Sequence, residues 1–149
     1  MSDLLFEHIR AARTSGDWNA LITSIPYLAF LGMRLEPSDG RLLGRLPYLE
    51  SNIGNPMLPA LHGGAIAALL ESSAHFEMFF NEATTTLPKT ITATFDYLRS
   101  GRPVDTFVHS TVFKQGRRVC TVHASAWQAD ERKPIATATV QLLILGTDR

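Results

Sequence analysis

Residues 61–80, LHGGAIAALLESSAHFEMFF, contain the residue types whose spacing could support chemistry. A His-Gly-Gly sequence at residues 62–64 opens an almost wholly apolar run, and Glu71 follows nine residues after the histidine. Such a run predicts a buried helix that ends near Asn81. A carboxylate on a buried element is costly unless it is paired, hydrogen-bonded or in a solvated cleft. Glu71 is therefore a candidate nucleophile or general base; the alternative is a structural glutamate bonded to His75, one turn later.

The start of this helix is the second candidate group. Unpaired backbone N–H groups at a helix N-terminus carry about half a positive charge and can hold a developing oxyanion. Gly63 and Gly64 lack side chains, so a ligand can approach that backbone closely; alternatively, the glycines only allow tight packing. Nine residues of helix span about 13 Å. Glu71 cannot easily serve the N-terminus of its own helix, and a second copy of the chain would satisfy the geometry.

The composition sets the broad class. With 149 residues, 45% hydrophobic and 19% charged, the chain predicts one ordered domain over residues 1–149. The net charge of zero gives no basic field for nucleic acid. Cys120 is the single cysteine, so we expect no internal disulfide and no metal site, and a reducing, cytoplasmic setting. The sequence shows neither a signal peptide nor a membrane span.

The N-terminal part predicts two short helices that pack outside the main body. A helical stripe runs through residues 2–13, with Ser2 or Asp3 as the N-cap. Asp17 is placed to cap a second helix over residues 18–24, which ends before the next proline. We treat residues 1–31 as a helical extension.

The remaining segments alternate with period two and predict strands around the apolar helix. A loop, rich in proline and asparagine, spans residues 50–61. The predicted strands cover residues 32–37, 41–48, 90–97, 104–114, 118–129 and 134–145, with a tight turn at Gln115-Gly116. Consecutive strands without intervening helices call for an antiparallel sheet. The predicted fold is α+β, a curved six-stranded antiparallel sheet wrapped round one long central helix.

Three segments in this order resemble the hotdog-fold acyl-CoA thioesterases of the phenylacetate-degradation (PaaI-like) type. They are LHGGAIAALLE, TATFDYLRSGRP and QGRRVCTVHASAW, within residues 32–145. The resemblance implies hydrolysis of an acyl-CoA to a carboxylic acid and free coenzyme A, which is part of the substrate, with no metal or cofactor. It also implies a homodimer, often a homotetramer, whose active sites lie where two sheets join. From the net charge and the lack of a membrane span we expect no nucleic-acid or membrane partner.

The resemblance also assigns roles near the helix start. Gly63 is the expected N–H donor, and His62 orients the loop or contacts the substrate and is not the general base. The family often has an asparagine or glutamine about six residues before this histidine to hold the carbonyl or the water. Here that position is Pro56, Asn55 is one residue off and Asn52 is further away; ordinary turn chemistry is the alternative for Asn55.

Other residues are expected to contact either the coenzyme A part or the acyl part of the substrate. By resemblance Tyr97 and Leu98 flank the pantetheine arm. We expect two of five cations near two turns to touch the phosphates: Arg99, Arg102, Lys114, Arg117 and Arg118. His75 could tune Glu71 or line the acyl pocket, although a core role is favoured. Plain core packing is likewise favoured for five residues that could line an acyl pocket: Met57, Phe76, Met78, Phe79 and Phe80. Cys120 is expected to be a packed hydrophobe.

Two alternative functions remain. A non-catalytic acyl-CoA-binding protein would bind its ligand saturably without turnover. A hotdog dehydratase ranks last, because its differently spaced histidine and acid are not found. The acyl group and the role of the N-terminal helices stay open.

Overall fold

The computed structural model describes residues 2–81 and 86–144. These residues form the helices α1 (Ser2–Ser15), α2 (Trp18–Thr23), α3 (Pro26–Leu31) and α4 (Gly63–Phe80). The strands are β1 (Arg34–Ser38), β2 (Arg41–Leu46), β3 (Ile53–Asn55), β4 (Ala60–Leu61), β5 (Lys89–Tyr97), β6 (Thr106–Gln115), β7 (Val119–Trp127) and β8 (Ala136–Leu143).

Six strands form one antiparallel sheet in the order β1-β2-β6-β7-β8-β5, and α4 packs against its inner face. The predicted hotdog fold, a six-stranded antiparallel sheet round one long helix, is confirmed. The division into a single domain with an extension over residues 1–31 stays a prediction.

The core lies between α4 and the sheet. Leu69, Leu70, Ala74 and Met78 of α4 are completely buried. Inward-facing strand residues meet them: Val108, Val122, Ala126, Val140 and Leu142. Burying one leucine side chain is worth about 1.5–3 kcal/mol. The apolar character of α4 on nearly all sides therefore supplies a large part of the driving force for folding, and it fixes the helix axis across the sheet.

The N-terminal helices cover the C-terminal part of α4. The Trp18 ring packs edge-on against Phe80 at 5.6 Å, and the Arg13 side chain donates a hydrogen bond to the Phe79 carbonyl. Asp17 caps α2 as predicted, accepting two backbone N–H bonds. The cap predicted for α1 is not found: the helix includes both Ser2 and Asp3, and Met1 before it lies outside the described residues.

Four predicted details differ in the structure. The prediction ended the second helix before Pro26 and placed no helix after it, whereas α3 begins at Pro26, because proline fits the first position of a helix. The predicted loop over residues 50–61 contains a 3-10 turn and the β3–β4 ribbon. The β6–β7 turn lies at residues 116–118 and not at Gln115-Gly116. The first hairpin spans residues 34–46, and Leu145 of the predicted last strand lies outside the described residues.

Strand β5 is an edge of the sheet and pairs only with β8 within the described chain. It is largely exposed, including Ile91 at 52% and Tyr97 at 53%. Unpaired strand edges with apolar side chains are templates for pairing with another chain. None of the helices over residues 2–81 and 86–144 is long and apolar enough to cross a membrane.

Candidate active site

The N-terminus of α4 presents one unused backbone donor. His62 is the N-cap, and its Nδ1 accepts the Gly64 N–H at 2.8 Å. The backbone N–H of His62 donates to the Asn52 carbonyl at 2.8 Å. The N–H of Gly63, the first residue of the helix, has no acceptor among the described residues. Because Nδ1 accepts a hydrogen bond, the capping imidazole is unprotonated at that nitrogen, and Gly63 provides the bare N–H.

Tyr97 holds the backbone at this position. Its hydroxyl donates to the Gly63 carbonyl at 2.8 Å, and a Cβ built on Gly63 would lie 3.4 Å from the tyrosine ring. Gly63, Tyr97, Leu98 and Arg99 line one cleft of about 400 Å³. The structure therefore brings together the predicted N–H donor and the two residues expected beside the pantetheine arm.

A second cleft of about 800 Å³ continues from the first and shares Arg99 and Ser100 with it. Arg102 and Lys133 add positive charge to its wall, and Asp130 adds negative charge. The side chain of Arg99 donates to the Pro134 carbonyl. This cleft combines cationic side chains with open space that adjoins the cleft at Gly63, which suits an elongated anionic ligand.

Gln128, which the sequence interpretation did not single out, fixes the loop that carries Arg102. Its side chain bonds both the N–H and the carbonyl of Arg102, at 3.0 and 2.9 Å. The amide also reaches the Thr106 hydroxyl at 3.1 Å. A glutamine that spans a turn in this way is recognisable only from the folded chain.

The other predicted cations lie elsewhere. Arg117 and Arg118 are exposed on the β6–β7 turn, at the opposite end of β6 from the loop that carries Arg99 and Arg102. Ten residues of strand separate the two turns by roughly 30 Å. A single chain does not bring these two groups of arginines together.

Glu71 is half-buried in the middle of α4 and is held by an edge strand. The Thr90 hydroxyl donates to its Oε1 at 2.7 Å. His75 Nδ1 lies 3.0 Å from the Glu71 backbone carbonyl, which can only accept, so Nδ1 carries a proton. His75 therefore bonds the backbone of Glu71, whereas the alternative weighed from the sequence was a bond between the two side chains.

The second ring nitrogen of His75 points towards Thr90. His75 Nε2 lies 3.5 Å from Thr90 Oγ1, whose single proton is engaged with Glu71. Glu71 and His75 line a cleft of about 220 Å³ whose other lining residues, apart from Ser72, are apolar. Thr90 is a residue that the sequence interpretation missed.

Glu71 and Gly63 are kept apart within one chain. Eight residues of helix separate them, about 12 Å, and they line different clefts. The carboxylate and the bare N–H therefore do not share one cleft of a single chain.

The two asparagines of the preceding loop differ in their environment. The Asn55 side chain is exposed and accepts the Met57 N–H at 3.0 Å, an ordinary turn contact. Asn52 is 4% exposed, and its amide donates to the Leu31 carbonyl at 3.3 Å. Asn52 is thus part of the scaffold that supports His62, and Asn55 stands at the surface.

Two further titratable groups are buried. Glu77 is 7% exposed; burial raises its pKa, while the Asn81 hydrogen bond of 2.6 Å and the charges of Arg41 and His109 act against this rise. Cys120 is completely buried, as predicted for a packed hydrophobe, and burial raises the pKa of its thiol. Among the residues that the structure describes, no cluster of histidine, cysteine and carboxylate side chains could hold a metal ion.

Comparison with known proteins identifies relatives. The family model of the acyl-CoA thioesterase N-terminal domain matches residues 54–143. A protein of known structure from Chromobacterium violaceum is 32% identical, with a TM-score of 0.77, over 95% of this chain and 99% of that chain. No curated protein matches the sequence significantly.

Two more distant structures share the fold. A phenylacetic acid degradation-related protein from Ralstonia eutropha is 21% identical, with a TM-score of 0.68, over 86% of this chain and 99% of that one. A thioesterase from Haemophilus influenzae is 18% identical, with a TM-score of 0.72, over 85% and 87% of the two chains. At these identities the likeness concerns the fold alone.

Proposed function

This chain belongs to the acyl-CoA thioesterase domain family, and from that premise we propose that it hydrolyses an acyl-CoA to a carboxylic acid and free coenzyme A. The observation that carries the proposal is the pair of groups on α4: a bare N–H at Gly63 and a carboxylate at Glu71 that is oriented by Thr90. In this proposal coenzyme A enters only as part of the substrate, and the chain acts without a metal or further cofactor.

The active site is formed by two copies of the chain. Thr90, which bonds Glu71, and Tyr97, which bonds Gly63, stand near opposite ends of β5. If two β5 edges pair antiparallel so that Ala93 of one copy lies opposite Thr94 of the other, Thr90 of one copy lies opposite Tyr97 of the other. This pairing carries Glu71 of one copy to the bare N–H of the other, and the exposed apolar side chains of β5 support it. The assembly is a homodimer, or a tetramer of two such dimers.

Each group then has a chemical role. The Gly63 N–H binds the thioester oxygen as negative charge develops on it, helped by the positive end of the α4 dipole. Glu71 attacks the carbonyl carbon directly, with later hydrolysis of the anhydride, or removes a proton from the attacking water. Collapse of the oxyanion breaks the C–S bond, and the coenzyme A thiolate leaves and takes up a proton. Water supplies the oxygen and hydrogen of the two products.

The surrounding residues bind the substrate. The pantetheine arm passes Tyr97 and Leu98, and the phosphates lie in the adjoining cleft with Arg99 and Arg102. His62 holds the helix start through Nδ1 and offers Nε2 to the substrate. Asn55 is close in sequence to this corner, where it could meet the carbonyl or the water. Arg117 and Arg118 would reach the phosphates only from the partner copy.

The test measures the hydrolysis of a panel of acyl-CoAs through the free coenzyme A thiol that the reaction releases. Glu71→Gln keeps an acceptor for Thr90 but removes the carboxylate, so we expect kcat to fall by about 100- to 10 000-fold. Glu77→Gln, the same change six residues later on α4 and outside the clefts, is the matched control and should retain activity. Equal rates in Glu71→Gln and wild type would remove Glu71 from the mechanism. Saturable acyl-CoA binding without turnover in the wild type would indicate the non-catalytic binding protein instead.

A further inference from the structure

The N-terminal segment forms one side of the cleft beside Glu71, and α4 supplies most of the rest. Leu5 of α1, Ile25 before α3 and Leu28 of α3 form one side, and Phe76 and Phe79 of α4 form the other. Leu5 and Ile25 are only half-buried, so this side opens to solvent. The N-terminal helices therefore cap α4 and also supply one wall of an apolar space.

Along α4, the polar lining residues of this cleft come before the apolar ones. Glu71, Ser72 and His75 are its polar lining residues, and every other lining residue is apolar. A cleft with a carboxylate beside a mostly hydrocarbon lining matches the polarity of an acyl group, which has one polar carbonyl joined to an apolar chain. The cleft at Gly63 and the larger cleft that continues from it lack this character. Arg99 lines both of them, and Arg102, Lys133 and Asp130 line the larger one.

The volume limits what can enter. The cleft measures about 220 Å³. A dry apolar cavity of roughly 150 Å³ accommodates one benzene ring. By the same scale this cleft of 220 Å³ accommodates up to about nine carbon atoms, enough for an octanoyl chain or for a phenyl ring with a short linker.

We propose that this cleft binds the acyl group of the substrate, that the preferred substrates are medium-chain or phenyl-substituted acyl-CoAs, and that Leu5, Ile25 and Leu28 set the length limit. The inference rests on the proposed function, because Glu71 marks the position of the thioester carbon. The thioester then bridges two chains. Its acyl tail enters the chain that supplies Glu71, and its coenzyme A arm lies along the chain that supplies Gly63.

The test measures kcat/KM over acetyl-, butanoyl-, hexanoyl-, octanoyl-, dodecanoyl-, palmitoyl- and phenylacetyl-CoA. Leu5→Trp fills the cleft, whereas Leu4→Trp places the same side chain on the neighbouring, exposed position of α1 and is the control. We expect wild type and Leu4→Trp to prefer hexanoyl-, octanoyl- and phenylacetyl-CoA. Leu5→Trp should lower the octanoyl-to-butanoyl ratio of kcat/KM by about tenfold or more. Ile25→Ala enlarges the cleft and should move the preference to longer chains.

A binding measurement separates this inference from the proposed function. Calorimetry with the Glu71→Gln variant should show an affinity for acyl-CoA that rises with acyl length and levels off beyond octanoyl-CoA. In the double variant that also carries Leu5→Trp, the affinity should level off at a shorter acyl chain. If turnover is absent but this length dependence is found, the hydrolytic function fails and the cleft assignment stands. Affinity that is independent of acyl length, or a length profile unchanged by both Leu5→Trp and Ile25→Ala, overturns the assignment. A Leu5→Trp variant that changes only the oligomeric state also overturns it, since a second copy would then occupy the cleft.

Discussion

The Thr90 hydroxyl donates a 2.7 Å hydrogen bond to the Glu71 carboxylate and so ties the middle of the central helix to the edge strand of the sheet. The bond uses the hydroxyl proton of Thr90, and Glu71 Oε2 has no hydrogen-bond partner among the described residues. Because hydrogen bonds to a charged group are worth about 1.5–3 kcal/mol, this contact can decide the orientation of the carboxylate. Thr90 is therefore a positioning residue for Glu71.

Thr90→Val keeps the shape of the side chain but removes the donor. We expect kcat to fall by about tenfold or more while KM changes little, because the carboxylate loses its orientation and the substrate keeps its contacts. Thr90→Ser restores the donor and should restore kcat. The measurement is steady-state kinetics on one good acyl-CoA substrate, with circular dichroism to verify folding. If Thr90→Val and Thr90→Ser have the same kcat, the hydrogen bond has no positioning role.

His62 should matter first for the stability of α4. Its Nδ1 caps the Gly64 N–H, and loss of a side-chain cap typically costs about 0.5–2 kcal/mol. Denaturant unfolding of His62→Ala should show a loss of about 1 kcal/mol. His62→Asn provides another capping oxygen and should recover most of it. A His62→Ala variant as stable as wild type would mean that the cap contributes nothing in solution.

The sequence was enough to predict the central helix and the sheet. The apolar run after His62 predicted a helix to about Asn81, and α4 ends at Phe80. Period-two alternation predicted all six strands of the sheet. Helix α3 was missed because Pro26 resembles a helix stop, although proline also fits a helix start. Gly32, with φ of 75°, ends α3 in a conformation that glycine adopts easily.

The local parts of the candidate site were also visible in the sequence. The spacing of the glycines and Glu71 along one helix is a local pattern. The contact between Glu71 and Thr90 joins a helix to a strand 19 residues later and depends on tertiary packing. A β-bulge between Thr90 and Thr92 interrupts the alternation of β5, and such bulges re-aim side chains. Period-two counting therefore gives no signal for Thr90.

Cys120 should be inert in the folded protein. It is completely buried on β7, and burial raises the pKa of its thiol, so neither access nor ionisation favours reaction near neutral pH. An aromatic disulfide reagent should label the folded chain very slowly and the denatured chain at once. The thiol assay for coenzyme A then has no background from the protein. Stoichiometric labelling of the native protein within the time of an assay would contradict the buried position.

Glu77 should make stability depend on pH. Burial raises its pKa above the ordinary value of 4.5. The folded chain therefore holds this proton more tightly than the unfolded chain, and the stability that Glu77 contributes is fully present below pH 4.5 and is lost as pH rises through the raised pKa. Glu77→Gln keeps an acceptor for Asn81 and removes the buried charge.

We therefore expect the Glu77→Gln variant to gain free energy of unfolding relative to wild type as the pH rises from 4.5 to neutral. Urea unfolding at a series of pH values measures this difference. Glu50→Gln, an exposed glutamate, is the control and should show no such trend. A Glu77→Gln variant that loses stability relative to wild type at neutral pH would show that the ionised carboxylate is net stabilising.

The most direct measurement is the activity of a purified mixed dimer. One chain is Glu71→Ala, and the other is Gly63→Val, which puts a branched side chain beside the bare N–H and the Tyr97 ring. Each homodimer should be inactive. The mixed dimer has one intact pair, Glu71 from one chain and Gly63 from the other, and should recover about half of the wild-type activity per dimer. A mixed dimer as inactive as its parents, or a chain that stays monomeric while it hydrolyses acyl-CoA, would contradict the two-chain site.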